Sequence, residues 1–146
     1  MYNPQLAQIL YNELLKIARN TELAPSGKIA QLHDLLILVI NEAVKDEKIQ
    51  FNTLFAKIAY ACNRNKIGSK SQFYIHRFRK IARSETAVGD PDNVDLDVQL
   101  GIKVIAETIL SIFEAGMPDE LIELLPAENF YTVSPVPIVS FKPKVR

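Results

Sequence analysis

The sequence predicts an all-α fold: an irregular bundle of five main helices and a short sixth, with an extended C-terminal tail. Residues 35–40, LLILVI, are apolar on every side of a helix, which is typical of a helix at the centre of a bundle. Apolar residues recur at helical spacing before and after this run. A buried strand over residues 35–40 is the alternative, but helix-forming residues flank the run and no other segment is a strong strand.

The first two helices are predicted from their ends as well as from their apolar residues. Asn3 and Pro4 suit the N-cap and the first position of a helix. The apolar stripe of this helix comprises Leu6, Ile9, Leu10, Leu14, Ile17 and Ala18. Proline, serine and glycine predict a loop over residues 21–27. The second helix is therefore predicted over residues 28–45, with the LLILVI run inside it.

Two helices joined by a tight turn are predicted over residues 52–83. The first covers residues 52–65, and its apolar face comprises Leu54, Phe55, Ile58, Ala59 and Cys62. Gly68 ends the turn, and Ser69 with Gln72 has the spacing of a capping box, so the next helix should begin at Ser69. One side of that helix collects Tyr74, Ile75, Phe78, Ile81 and Ala82. The other side, predicted to face solvent, collects Phe73, His76, Arg77, Arg79, Lys80 and Arg83.

Residues 94–104 fit either of two structures. Their alternating apolar residues suit a half-buried strand, but the helical stripe that includes them continues unbroken to Phe113. A lone strand would have no partner, so we predict one helix ending near Ala115 with Gly116 as its C′ residue. A loop over residues 85–93 precedes it, and a short helix over residues 118–125 follows.

The length of 146 residues suits one domain. We predict a helical domain over residues 1–126 and a proline-containing linker or tail over residues 127–146. The single cysteine, Cys62, excludes an internal disulfide and fits a reducing compartment. The N-terminal residues do not resemble a signal peptide, and the longest apolar run is too short to cross a bilayer. These observations predict a cytoplasmic chain that does not contact membrane.

No complete catalytic site is recognisable in the sequence. The GSKS at residues 68–71 lacks the glycine spacing and the preceding strand of a P-loop, so it is interpreted as a turn and a helix start. Cys62 lies on an apolar helix face, which is typical of an inert core cysteine. His33 and His76 have no metal-ligand spacing. We therefore predict that the chain by itself is not an enzyme and holds no cofactor or metal.

Residues 48–84 carry the clearest functional signal. They contain nine of the seventeen lysines and arginines and no aspartate or glutamate. The candidate site, called the basic face below, comprises Arg64, Lys66, Lys70, Phe73, His76, Arg77, Arg79, Lys80 and Arg83. Cations that follow phosphates, with an aromatic ring for a base, predict single-stranded nucleic acid as the partner. The sequence does not distinguish DNA from RNA.

Two other interpretations of the basic face stay open. The charges can form an ordinary solvated surface. They can also pair with acidic helices after Glu85, or dock an acidic partner protein, in which case the face is a protein interface. The oligomeric state is not predicted.

Two stretches carry a family resemblance. FNTLFAKIAYACNRNKI followed by QFYIHRFRKIA resembles a helical region that precedes the P-loop motor in certain large bacterial superfamily-I helicases and ATPases. VIAETILSIFEAG and MPDELIELLP resemble segments that follow it there. The resemblance covers most of residues 1–126, but no Walker motif is present, so no ATPase residue transfers. It implies a non-catalytic N-terminal accessory or regulatory module, with a downstream motor domain of the same polypeptide as partner.

Overall fold

The all-α prediction is confirmed. The computed structural model describes residues 4–83 and 94–125, and within these stretches it contains six α-helices and no β-strand. The helices are α1 (Pro4–Arg19), α2 (Pro25–Val44), α3 (Leu54–Arg64), α4 (Ser69–Arg83), α5 (Val94–Phe113) and α6 (Asp119–Leu124). The predictions of a loop over residues 85–93, a domain boundary after residue 126 and an extended tail lie outside the described residues.

Helix α2 begins three residues before its predicted start. Pro25 occupies a first-turn position, where a missing N–H does no harm, and the backbone N–H of Lys28 already donates to the carbonyl of Ala24 at 2.9 Å. Ser26 and Gly27 therefore belong to the helix, although their composition predicted a loop. The loop between α1 and α2 is correspondingly short.

The turn between α3 and α4 is a Schellman motif. The backbone N–H of Ile67 donates to the carbonyl of Cys62 at 2.9 Å, and that of Lys66 donates to the carbonyl of Asn63 at 3.3 Å. Lys66 takes the left-handed position with φ of 58°, where glycine is more usual. Ile67 is buried and secures the turn against the core. The turn fixes the angle between the two helices that carry the basic face.

Helix α4 begins at Ser69, as predicted, but its first turn is held differently. The side-chain amide of Gln72 donates to the carbonyl of Ile67 at 2.9 Å, so Gln72 fastens the helix to the preceding turn. Helix α3 has a side-chain cap at its own start, where the hydroxyl of Thr53 accepts the N–H of Ala56 at 3.0 Å.

Helix α5 confirms the helical interpretation of residues 94–104. The predicted C-terminus is wrong in detail, because the helix ends at Phe113 and the left-handed residue is Glu114, with φ of 55°. The N–H of Glu114 donates to the carbonyl of Leu110 at 2.9 Å. Gly116 has no positive φ and is not the C′ residue.

Helix α2 is the centre of the bundle, as predicted. It packs against α1, α3, α4 and α5, and its Leu36 and Ile40 are fully buried. Some apolar residues assigned to the interior from the sequence lie on the surface instead; among them, Ile9 of α1 is 56% exposed and Leu38 of α2 is 47% exposed. In each case the neighbouring helices leave one side of the helix uncovered.

Helix α5 is approached closely by its neighbours at Gly101. A Cβ atom at this position would lie 2.6 Å from Cε1 of Phe78 and 3.1 Å from Cδ1 of Leu32. The absent side chain therefore makes room for the ring of Phe78, which is fully buried. This contact sets the depth at which α4 packs onto α5 and α2.

Among the described residues, no helix combines the length and the apolar character needed to cross a membrane.

Candidate nucleic-acid interface

The structure distributes the nine predicted residues over α3, the following turn and α4. Five are exposed: Arg64, Lys66, Lys70, Lys80 and Arg83. Phe73, His76 and Arg77 are half-buried, and Arg79 is buried. The exposed cations lie at the end of α3, in the turn and at the two ends of α4, because residues 71–79 in the middle of α4 are all at least partly covered.

The prediction that Arg79 faces solvent is wrong. Arg79 is only 5% exposed. Helix α4 packs against α2, α3 and α5, so a helix expected to bury one side is covered on several. The centre of the Arg79 guanidinium lies 5.7 Å from the centroid of the Phe55 ring of α3, which covers the side assigned to solvent.

The exposed cations of the basic face differ from the other lysines in their partners. Within residues 4–83 and 94–125, no carboxylate forms a salt bridge with Lys66, Lys70, Lys80 or Arg83. Arg64 is the exception, since it lies 3.4 Å from Glu47. The positive charge at this surface is therefore largely uncompensated by neighbouring side chains.

Elsewhere, lysines pair within their own helices. Lys16 lies 3.3 Å from Glu13, and Lys45 lies 3.0 Å from Glu42. Lys103 lies 2.6 Å from Glu107. These pairs satisfy charge locally at the usual spacing of three or four residues, an arrangement that the acid-free segment over residues 48–84 cannot form within itself.

Phe73 is a poor candidate for an open stacking surface. Its ring is half-buried and meets the ring of Tyr74 edge-on, with centroids 5.3 Å apart and planes at 72°. A base would have to compete with this arrangement for the ring.

Sequence reasoning missed Phe55 because it assigned the residue to the buried face of α3. Phe55 is 53% exposed. The buried stripe of α3 is instead Ile58, Ala61 and Cys62, with Leu54 partly buried against the core. The small size of Ala61 concealed this rotation, since the stripe through Phe55 carries larger apolar side chains.

The ring of Phe55 contacts α4 through His76. Their ring centroids are 4.5 Å apart, with planes at 30°. His76 is therefore partly stacked on Phe55, beside Arg79. The sequence places these residues more than twenty positions apart, so only the packing of α3 on α4 brings them together.

The two histidines have lowered pKa values. Burial lowers the pKa of His33; Asp34 opposes this effect, whereas Arg79 and Arg83 add to it. Burial also lowers the pKa of His76, and Arg79 and Lys80 lower it further. His33 of α2 thus lies within electrostatic reach of α4, a proximity that the sequence did not predict.

Cys62 is a core residue. It is fully buried, and burial raises the pKa of its thiol to about 11, so the reactive thiolate is disfavoured. Over the described ranges, no three histidine, cysteine, aspartate or glutamate side chains are grouped so that they could hold a metal ion.

A cleft of about 200 Å³ opens between α4 and α5 beside the basic face. Its polar lining includes Lys70, Ser71, Lys103 and Glu107. The cleft is smaller than the pockets of about 300–1,000 Å³ that usually hold small ligands, and its Lys103 and Glu107 already pair with each other.

Comparison of the chain with protein-family models, with curated protein sequences and with solved structures finds no match in any of the three.

Proposed function

We propose that the chain is a non-catalytic module that contacts single-stranded nucleic acid through its basic face. The observation that carries this proposal is the group of four exposed cations, Lys66, Lys70, Lys80 and Arg83, without a salt bridge to any described carboxylate. Phosphates can pair with such cations without first displacing a protein carboxylate.

The arrangement of these cations favours an extended partner over a compact anion. They lie in the turn and at both ends of α4, and a helix of 15 residues spans roughly 22 Å. A single phosphate cannot reach all of them. A strand of several nucleotides can, and its phosphates would then contact the two ends of α4 in succession.

The module is further proposed to precede the motor of a larger helicase-like ATPase. The resemblance of residues 51–82 to a region ahead of such motors supports this part of the proposal. The reading frame that encodes the chain should then continue into a P-loop and motor domain. A stop codon directly after Arg146 would contradict this part and leave the nucleic-acid contact untouched.

The test of nucleic-acid contact is titration of a labelled single strand at several salt concentrations. Each phosphate contact should contribute about −0.7 to the slope of log K against log salt, so four contacts should give about −3. Lys80→Ala should weaken all sequences alike and reduce the slope by roughly one contact.

Lys16→Ala is the matched control, because Lys16 is also exposed but is paired with Glu13 away from the basic face. It should leave affinity and slope nearly unchanged. Absence of binding at low salt would overturn the proposal. Binding of an acidic protein, without binding of oligonucleotides, would assign the basic face to a protein interface.

A further inference from the structure

Helices α2, α3 and α4 bring five side chains together, three of which belong to the basic face. They are His33 of α2, Phe55 of α3, and His76, Arg79 and Arg83 of α4, named here the Phe55 cluster. Arg79 links its members: it lies beneath the Phe55 ring and acts electrostatically on both histidines. The cluster combines an exposed ring with a buried cation, Arg79, and an exposed one, Arg83.

Within residues 4–83 and 94–125, the charge of Arg79 lacks the partner that a buried guanidinium usually has. The side chain is 5% exposed, and none of the described carboxylates forms a salt bridge with it. Among the charges that act on the neighbouring His33, Asp34 is exposed and Arg83 is a further cation. A buried charge without a counterion is unfavourable, so the cluster is suited to receive an anion.

Unpaired nitrogen atoms support the same reading. Nε2 of His33, Nδ1 of His76 and Nε of Arg79 are buried and have no hydrogen-bond partner among the described residues. Buried polar atoms are nearly always paired, and an exception calls for an explanation such as an absent ion or ligand. Protonated histidine and arginine nitrogens all donate, so a phosphate oxygen is a suitable acceptor for each of them.

The exposed ring of Phe55 indicates that the ligand has a planar group in addition to its negative charge. Phe55 is 53% exposed even though its ring also contacts His76 and Arg79. An aromatic ring open to solvent beside cations is the arrangement on which proteins stack the bases of single strands. Phe55 lies in the first turn of α3, and its ring lies against the guanidinium of Arg79.

We propose that the Phe55 cluster binds one nucleotide of a single strand, with the base stacked on Phe55 and the phosphate held by Arg79 and Arg83. This inference rests on the proposed function and names the site at which the strand is recognised. An acidic peptide could supply the negative charge, but it would leave the exposed ring face without a planar partner. The cluster therefore favours a nucleotide.

Proton uptake should accompany binding at this site. A phosphate beside His33 and His76 stabilises their charged forms, which burial disfavours most in the free protein. Arg79 adds to this effect at both histidines, with Arg83 at His33 and Lys80 at His76, and Asp34 opposes it at His33. Affinity should rise as the pH falls from 8 to 6, by up to about tenfold per pH unit for each proton taken up. A strand that binds only the exposed lysines would not contact His33 or His76, so its binding would not produce this dependence.

The experiment is titration of a labelled oligothymidylate by fluorescence anisotropy, at fixed salt, between pH 6 and 8. Phe55→Ala should weaken binding about 5- to 150-fold, the usual loss of one stacked base, without changing the salt slope. Phe55→Tyr, which keeps the ring, should bind like the original chain. His33→Gln should flatten the pH dependence of binding. Phe73→Ala should have little effect on binding, because the ring of Phe73 already contacts the ring of Tyr74.

The outcomes separate this inference from the proposed function. If the original chain does not bind the strand at low salt, the proposed function fails. If it binds, but Phe55→Ala and His33→Gln bind as well and with the same pH dependence, the Phe55 cluster is not the site, whereas the basic face stands. Competition by a glutamate-rich peptide as strong as by the oligonucleotide would also overturn a nucleotide site. Circular dichroism confirms that each variant is folded.

Discussion

Helices α2 and α4 are both covered by several neighbours, but they bury different chemistry. The side chains of α2 that are classed as buried are all apolar, and Leu36 and Ile40 are fully buried. Helix α4 also packs against three other helices, yet Arg79 is buried with Ile75 and Phe78. Burial of apolar groups stabilises the fold. Burial of a cation that has no salt bridge to a described carboxylate lowers the free energy of unfolding.

This contrast teaches that a helical pattern predicts burial only where one neighbour covers the helix. In α4 the pattern separates an apolar side from a basic side, and the apolar side does contain the buried Ile75 and Phe78. The basic side is not all solvent-exposed, because α3 crosses it at Phe55. The proposed Phe55 cluster lies where the sequence pattern of α4 and its observed packing disagree.

The largest expected effect lies in α2. Leu36→Ala and Ile40→Ala should each lower the free energy of unfolding by about 2–5 kcal/mol, since each removes a fully buried side chain and leaves a cavity. Urea denaturation measures the loss. Leu38→Ala is the matched control: Leu38 lies in the same run but is 47% exposed, so its loss should stay within about 0.5 kcal/mol.

Equal losses for Leu36→Ala and Leu38→Ala would remove α2 from the centre of the bundle. Helix α2 would then no longer be an example of a helix buried through its apolar side chains, with which α4 can be compared.

The next effect concerns the contact that joins α4 to the core. Gly101→Ala should destabilise the protein by about 1–3 kcal/mol, because the new methyl group would overlap the ring of Phe78. Gly116→Ala is the control, since nothing lies within 4 Å of its added Cβ and its φ is not positive. Chemical denaturation of both variants checks the difference.

A second substitution sharpens this test. In the background of Gly101→Ala, Phe78→Leu removes the ring edge that the methyl group meets, so the two changes should cost less together than the sum of their separate effects. Simple additivity would place Phe78 away from Gly101.

The sequence predicted the fold in outline because each helix carries its own signals. Pro4 and Ser69 mark helix starts at the observed residues, and the run over residues 35–40 identifies the central helix. The errors at helix ends have local causes. Gly116 was expected to be the left-handed residue after α5, but Glu114 adopts that conformation, and the left-handed conformation of Lys66 after α3 was not predicted.

The candidate site was predictable only in part. The absence of acids from residues 48–84 is a property of the sequence, and it led to five cations that are exposed but also to the half-buried Arg77 and the buried Arg79. The proximity of Phe55, His33 and Arg79 is a property of packing between helices that are distant in the chain. No periodicity within a single helix contains that information.

The smallest effect is a dependence of stability on pH. The pKa values of His33 and His76 are lowered in the folded protein, with burial as the main cause in both. Between these lowered values and the ordinary value of about 6.5, the unfolded chain binds more protons than the folded protein. The free energy of unfolding should therefore fall as the pH falls below about 6.5, with a slope of at most about 1.4 kcal/mol per pH unit for each histidine.

Urea denaturation between pH 7.5 and 5.5 measures this slope, since carboxylates with ordinary pKa values titrate mostly below that range. His33→Gln and His76→Gln should each flatten it. Arg79→Met should reduce the slope as well, because Arg79 lowers the pKa of both histidines. It should also raise the free energy of unfolding at pH 7, because it removes a buried charge that has no salt bridge to a described carboxylate. If Arg79→Met destabilises the protein at pH 7 and leaves the slope intact, Arg79 has a compensating partner, and α4 differs from α2 only in its surface.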